Sequence, residues 1–401
     1  MSGFAIRDEM NAIQEAPGKT WFFELEEAVI AAGRCIQCGA CVAVCPSDSI
    51  GVAADDGLPE LVKMCTGCSL CWDFCPRAGM RHEATWALTD DSWKMTGSDL
   101  PGRLDALRAR YTARVRPGLP RVQDGGVVSA LLMALLDRGE VDGVLLARES
   151  ETERWKGVPH VVTTAEEVAA CGGSFYNQTM GLAALDLSGC ALPDNPRLAV
   201  VGTPCEAEAI RAMQTYPWSW GSHQVGAVVL TIALLCTKSF DYEALMLREV
   251  RDKRGVDLDR VGRVDVIRGK LIVQGRRGET LVEEPIKDFH GAALKGCDEC
   301  ADFLGNAADI SVGSVGSADG YSSVLVRTEA GVMAFEHARP MLELRGLDDP
   351  VALEKLDGLD KRVARRSLKR DFDPDGELFI DLAEHVRSYA STDRAPVKRD
   401  R

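Results

Sequence analysis

Apolar and polar positions change their period several times along the chain, and each change predicts an element. Phe22, Leu25, Ala28, Val29 and Ala32 recur at helical spacing with acidic residues between them, so residues 1–34 read as a helical lead-in that delivers the chain to Cys35. From Asp124 onward helical and strand patterns alternate: a helix over 127–138, a strand over 143–147, a buried strand over 197–201, a helix over 206–213 and a strand over 227–235. Such alternation predicts an α/β domain. Residues 260–284 show short alternating runs separated by Arg268-Gly269-Lys270 and by 275–278, the pattern of β-hairpins. A charged helical pattern starts at 350 and gives way to a polar, frayed tail after about 388. Residues 81–120, with Trp86, Trp93 and three prolines, read as a linker ending in an exposed basic helix. The longest apolar run, 225–236, contains Thr231 and has the length of a buried strand, so no membrane span is expected and any membrane contact goes through a partner.

Between 35 and 80 the periodicity is replaced by a repeat. C-x2-C-x2-C-x3-C-P occurs as Cys35, Cys38, Cys41, Cys45, Pro46 and again, thirty residues on, as Cys65, Cys68, Cys71, Cys75, Pro76. In bacterial ferredoxins the fourth cysteine of each run ligates the other cluster. One 4Fe-4S cluster is thus assigned to Cys35, Cys38, Cys41 and Cys75, and a second to Cys65, Cys68, Cys71 and Cys45. Two structural zinc sites are the alternative, but four-ligand zinc has no use for this doubled spacing. The expected fold class is α+β and α/β: an N-terminal double 4Fe-4S ferredoxin-like domain (35–80), a linker (81–120), an α/β domain with added hairpins (121–345) and a charged helical C-terminal segment (346–401).

Composition narrows the function. A net charge of −14 argues against nucleic-acid binding, which needs a basic surface. The first thirty residues carry acidic side chains and no cleavable apolar core, so a cytoplasmic location is expected. Fourteen cysteines there point to metal or redox chemistry, since disulfide frameworks belong to small secreted domains. Six lie outside the repeat. Cys205 and Cys236 fall at predicted strand ends, and Cys297 and Cys300 form a C-x2-C pair. These four could converge on a third 4Fe-4S cluster, or remain buried thiols beside a small zinc site. Cys171 and Cys190 read as packed thiols. Asp124-Gly125-Gly126 runs directly into a helix whose free N–H groups suit an anion, and Gly172-Gly173-Ser174 could do the same, although ordinary turns would read alike. No catalytic triad, zinc-protease or nucleophile-elbow motif is present.

From Cys35 to Gly331 the chain resembles the beta subunits of coenzyme F420-reducing hydrogenase and F420-dependent formate dehydrogenase. The resemblance is carried by the double ferredoxin motif, Gln123-Asp124-Gly125-Gly126, Gly173-Ser174-Phe175-Tyr176 and Gly202-Thr203-Pro204-Cys205. It also includes the run from Lys295 to Phe303, Ala308-Asp309-Ile310-Ser311-Val312-Gly313, Asp319-Gly320-Tyr321 and Val326-Arg327-Thr328. The family pattern has Gln where this chain has Glu206. The resemblance implies FAD and coenzyme F420, hydride transfer between them, and single-electron relay through three 4Fe-4S clusters, the third on Cys205, Cys236, Cys297 and Cys300. Flavin contacts carry over onto Gly125, Gly126, Ser129, Ser174, Tyr176, Thr203, Gly316 and Gly320. The phosphodiester and oligoglutamate tail of F420 call for basic residues. Lys238 and Lys295 are candidates, as are Arg263, Arg268, Lys270, Arg276 and Arg277, which otherwise read as solvated surface charges. The implied partner is the catalytic subunit of a dehydrogenase, hydrogenase or heterodisulfide-reductase-type complex. A ferredoxin-dependent flavin reductase of another organic substrate and a flavin-free relay are the competing readings.

Overall fold

The computed structural model describes residues 21–54, 56–68, 70–78, 107–116, 122–215 and 225–367. Its strands are β1 (Ile50–Val52), β2 (Pro59–Leu61), β3 (Ala109–Val115), β4 (Gly143–Glu149), β5 (Gly157–Val162), β6 (Leu198–Gly202), β7 (Val228–Leu234), β8 (Val261–Ile267), β9 (Lys270–Gly275), β10 (Thr280–Pro285), β11 (Ile310–Gly313), β12 (Ser322–Val326) and β13 (Leu342–Gly346). Eight of them form one mixed sheet in the order β13-β3-β12-β11-β7-β6-β4-β5. Its centre is parallel, β4 to β6 to β7 to β11 in sequence order. Parallel strands are covered on both faces, which is why β4, β6 and β7 read as near-continuous apolar runs.

The helices Val127–Asp137 and Glu329–Ala338 cover one face, burying Ala130, Leu131, Ala134, Phe335 and Ala338 at helical spacing against Val144, Ile232, Ile310 and Val324. Each fully buried large apolar side chain there contributes about 1.5–3 kcal/mol. The helix Pro204–Thr215 covers the other face through Ala209, Ile210 and Met213, and that core also holds Ile36, Cys38, Ala40, Leu70 and Phe74. The cysteine-rich module is therefore built into the α/β domain. Backbone bonds from Met180 to Gln37 (3.0 Å) and from Leu182 to Cys38 (3.2 Å) seal the seam. Gly39, in the left-handed region (φ 82°), permits it, since a Cβ there would lie 2.6 Å from the Ala183 amide nitrogen.

Residues 109–115 correct the linker reading. They form β3, paired with β12 and β13 inside the main sheet, where a basic helix was expected. Arginines spaced through this segment do not make a helical face: Thr112 and Ala113 are fully buried while Arg114 turns out to Glu343 (2.8 Å). The sheet domain therefore begins before 109, and not near 120. The expected hairpins are present as the antiparallel meander β8-β9-β10. It packs Val264, Leu271 and Val273 on the helix Glu243–Asp252. The lead-in is a short helix, Phe22–Leu25, continued as a π-helical turn, Glu26–Ile30, and the C-terminal segment is the helix Pro350–Ser367. The remaining expectations for 1–20, 79–106 and 368–401 lie outside the described residues.

One polar buttress holds the parallel centre. Asp309, 5% exposed, accepts from the Thr231 amide (2.8 Å), Arg211 Nη2 (3.0 Å) and Thr328 Oγ1 (2.6 Å). It joins β7, β11, the end of β12 and the helix Pro204–Thr215. Asp309→Ala withdraws that acceptor from the half-buried Arg211 and from the buried Thr231 and Thr328 donors, and should cost about 3 kcal/mol. Urea denaturation is the check, with Asp309→Asn expected to lose less.

Candidate iron-sulfur relay and cofactor site

In the N-terminal module, two pairs of chain segments bring the repeat cysteines into two sets. Cys75 stands beside Cys35, Cys38 and Cys41. Cys45 stands beside Cys65, Cys68 and Cys71. This is the crossed grouping that the x3 step predicts. The first set lines a cavity closed by Leu25, Val29, Ile36, Pro76 and Arg77. Backbone amides point at the sulfurs: Gln37 at Cys35 (3.4 Å), Ser49 at Cys45 (3.2 Å), Gly67 at Cys65 (3.4 Å) and Arg77 at Cys75 (3.4 Å). Positive φ at Gln37 and Gly67 aims two of these donors. Burial pushes the Cys35 and Cys68 thiols up to about 12, and Cys38, Cys41 and Cys71 well above the thiol range. Coordination to iron is the chemistry that would deprotonate such thiols. Among the described residues no three His, Cys, Asp or Glu side chains meet at a point suited to one metal ion. A cube with one thiolate per iron needs no such point.

The tertiary fold assembles a third set. Cys205 opens the helix after β6, Cys236 follows β7, and Cys297 and Cys300 flank the end of the 3-10 turn Lys295–Glu299. Cys236 neighbours Cys297 and Cys300, while Cys205 neighbours Cys300 and, in the first set, Cys38. Cys41 in turn neighbours Cys71. The three sets are therefore consecutive, with the Cys35 set in the middle. Thr203 Oγ1 lies 3.1 Å from the Cys205 sulfur and the Ser239 amide donates to Cys297 (3.5 Å). Gln178 links the two, donating to Thr203 (3.1 Å) and accepting from Ser239 (2.8 Å). Glu206 holds the Cys205 turn: its carboxylate accepts from the Thr203 amide (2.7 Å) and the Gly181 amide (3.1 Å). Burial raises its pKa to about 7, against those hydrogen bonds. Gly181 and Gly202 leave room for this carboxylate, since a Cβ on either would come within 2.7 Å of it. Cys171 and Cys190 pack at the margins of the two large cores, Cys190 on the core that also holds Cys205.

The helix Pro350–Ser367 lies over the Lys295–Glu299 turn and brings Asp360 near Lys238, Asp298 and Asp302. Burial, then Asp357, raises the Asp360 pKa to about 8. A carboxyl with a folded pKa above its unfolded value of about 3.9 favours the fold fully below about pH 4 and loses that contribution as pH rises through 8. Asp360→Asn should therefore be more stable than the native chain at pH 9 and nearly equal to it at pH 4, as read by denaturation midpoints.

The flavin and F420 candidates divide. The helix Val127–Asp137 starts from Gly126 (φ 66°) with no side chain capping its first turn, so its N–H groups face outward at Ser129 and its neighbours. Gly125 is packed tightly: its amide donates to Ser322 (3.1 Å), and a Cβ would lie 2.4 Å from the Ala113 carbonyl. Arg263 joins this turn to the meander by pairing with Asp124 (3.0 Å) and Asp265. The Tyr176 hydroxyl donates to that same Asp265 (3.1 Å). Thr203 belongs to the third cysteine set. Gly316 packs against Leu353 and Ser323, whereas Gly320 (φ 79°) faces open space, and Ser174 is half-buried in its loop. The basic candidates are largely paired: Lys238 with Asp298, Arg268 with Asp319 (3.4 Å), Lys270 with Glu283 (2.7 Å). Lys295 lies toward Gly33, on the lead-in side. Arg276 and Arg277 are exposed side by side in the turn between β9 and β10.

Sequence reasoning passed over Arg34, Arg77 and Glu299. Arg34 donates to both Glu299 oxygens (2.7 Å each) and to the carbonyl of Arg77 (2.8 Å), tying the N-terminal module to the Cys297–Cys300 turn. The signals available were slight: an arginine next to Cys35, another after Cys75-Pro76, and an acid inside a C-x2-C pair.

Three segments match family models: residues 28–81 a 4Fe-4S dicluster domain, 110–186 the coenzyme F420 hydrogenase/dehydrogenase beta subunit N-terminal region, and 196–349 its C-terminal region. A subunit of the F(420)H(2) dehydrogenase of Methanosarcina mazei is 31% identical over 328 residues, covering 79% of this chain and 85% of that one. The chain belongs to the coenzyme F420 hydrogenase/dehydrogenase beta subunit family. The coenzyme F420-dependent sulfite reductase of Methanocaldococcus jannaschii is 30% identical over 381 residues, 91% of this chain. The present chain spans only 54% of that relative. A solved structure of the F420-reducing [NiFe] hydrogenase complex from Methanosarcina barkeri superposes with a TM-score of 0.60 at 29% identity, covering 65% of this chain and 91% of the matched chain. Family membership makes this an oxidoreductase subunit with an N-terminal dicluster domain joined to a mixed α/β sheet.

Proposed function

We propose that this protein passes electrons between coenzyme F420 and a partner subunit through FAD and three 4Fe-4S clusters. The observation that carries the proposal is the third cysteine set, formed at the ends of β6 and β7 beside Cys38, because it supplies a continuous path from the sheet domain into the ferredoxin module. Bound flavin would supply the exchange between hydride and single electrons that F420 and iron-sulfur centres require. The chain's own part is positional. Cys205, Cys236, Cys297 and Cys300 would hold the third cluster, with Thr203 and Ser239 directed at its sulfurs. The uncapped start of the helix Val127–Asp137 suits a flavin phosphate, with Gly126, Ser129 and Gly320 around it, and the remaining candidates Gly125, Ser174, Tyr176 and Gly316 would shape the walls. The crowding at Gly125 and Gly316 points to shaping by close backbone packing. Because Lys238 is paired with Asp298, it would serve F420 only indirectly, whereas Lys295 is exposed on the lead-in side.

The relatives' names support F420 as the hydride carrier, and those that belong to hydrogenase complexes support a catalytic partner. Anaerobic purification with iron, sulfide and flavin quantification tests the reading. About twelve irons and one FAD that bleaches with reduced F420 are expected; about eight irons without flavin would leave a docking module and sink it.

A further inference from the structure

Arg77 is an unusual residue to find between two cysteine sets. It is 2% exposed and heads the largest fully buried side chains of the protein. Its backbone N–H donates to the Cys75 sulfur (3.4 Å), so its main chain belongs to the first set. Its guanidinium charge lies between the sets, acting on Cys300, Cys205 and Cys297 of the third set and Glu208, and also on Cys35 of the first. Nη1 donates to the Pro76 carbonyl (2.8 Å), and Nε finds no hydrogen-bond partner among the described residues. Arg34 grips the Arg77 carbonyl and so fixes its position from outside.

An arginine does not lose its proton in a protein interior, so this is a fixed positive charge. Burying it is costly, and burial works against its ionised form here, but the three thiols and Glu208 more than offset that and raise its pKa. Four thiolates leave an iron-sulfur cube net anionic, and each added electron makes it more so; net charge and hydrogen bonds to the sulfurs set its potential.

We propose that Arg77 is the positioning residue that sets the reduction potential at the Cys205, Cys236, Cys297 and Cys300 centre and matches it to the neighbouring Cys35, Cys38, Cys41 and Cys75 centre. The guanidinium stabilises the extra electron on the third centre, where it faces three of the four thiols, and reaches Cys35 of the first, to which the backbone N–H adds its donation at Cys75. One electron moves between the two centres; no bond breaks and no proton is taken up. This rests on the three-cluster relay proposed above and adds to it the residue that levels the step into the ferredoxin module.

The test is an EPR-monitored redox titration of the anaerobic holoprotein, native and Arg77→Met. With iron fully retained, the variant should show a lower midpoint for the third-cluster signal, while the signal of the Cys65, Cys68, Cys71 and Cys45 centre stays where it was. Arg77→Lys should recover part of the shift. Unchanged midpoints in a fully loaded Arg77→Met protein would overturn the proposal. Loading problems in the variant do not remove the test, since native protein labelled with 15N-arginine should show a guanidinium nitrogen hyperfine coupling on the third-cluster signal. Lack of that coupling also overturns it. If the native protein itself holds only about eight irons and no third signal, the relay reading has failed, independently of Arg77.

Discussion

Cys300→Ala is expected to remove about four of about twelve irons, leaving the two ferredoxin-type clusters in place. Cys300 contributes only to the third set, so the crossed pairs around Cys75 and Cys45 keep all their thiols. Because that set stands between the sheet domain and Cys38, the variant should lose F420-dependent reduction of a one-electron dye to background, while dithionite still reduces the remaining clusters directly. Iron counting and the two dye assays separate the outcomes. If the variant retains all its iron, or retains F420-dependent dye reduction, the third set is not in the path.

The second large effect is expected at the clamp between domains. Arg34→Met leaves Glu299, 5% exposed, as a buried carboxylate stripped of its bidentate partner, and frees the Ala28 and Arg77 carbonyls that Arg34 also holds. Removing one partner of a buried pair costs about 3–5 kcal/mol; Arg34 keeps 17% exposure, so about 3 kcal/mol is expected. Chemical denaturation of the holoprotein is the measurement, and Arg34→Met with Glu299→Gln should recover part of the loss because no unpaired charge remains. A loss below about 1 kcal/mol, the range of an exposed pair, would mean that the seam is held by the apolar core around Cys38 and Phe74 and the backbone bonds at Gln37 and Cys38, without the clamp. Gly296→Ala probes the same seam sterically, since its Cβ would fall 2.0 Å from the Arg34 carbonyl oxygen.

Local pattern was enough for much of this protein. The doubled cysteine repeat specified its own crossed grouping, because ligand spacing along a short chain leaves few geometries. Buried parallel strands and the helices between them were legible because their apolar runs are long and their turns are marked. β3 was not legible: Arg110, Arg114 and Arg116 looked like a basic helix, and only pairing with β12 and β13, strands more than 200 residues away, makes the segment part of the sheet. The same limit applies to charge. Lys238 and Arg263 read as available cations, and the fold sets carboxylates from distant segments against both.

The linear order of residues already carries the doubled ferredoxin-type repeat, the α/β pattern that follows it and the motifs by which the family is recognised. How these parts communicate is settled only in three dimensions. Cys205, Cys236, Cys297 and Cys300 are separated by up to 95 residues; the first two meet because the parallel strands β6 and β7 end on the same side of the sheet, and the turn Lys295–Glu299 carries the other two to them. Arg34 and Arg77 acquire their roles only when that side docks on the ferredoxin module. A buried charge takes its meaning from what surrounds it in space, and no spacing along the chain records that.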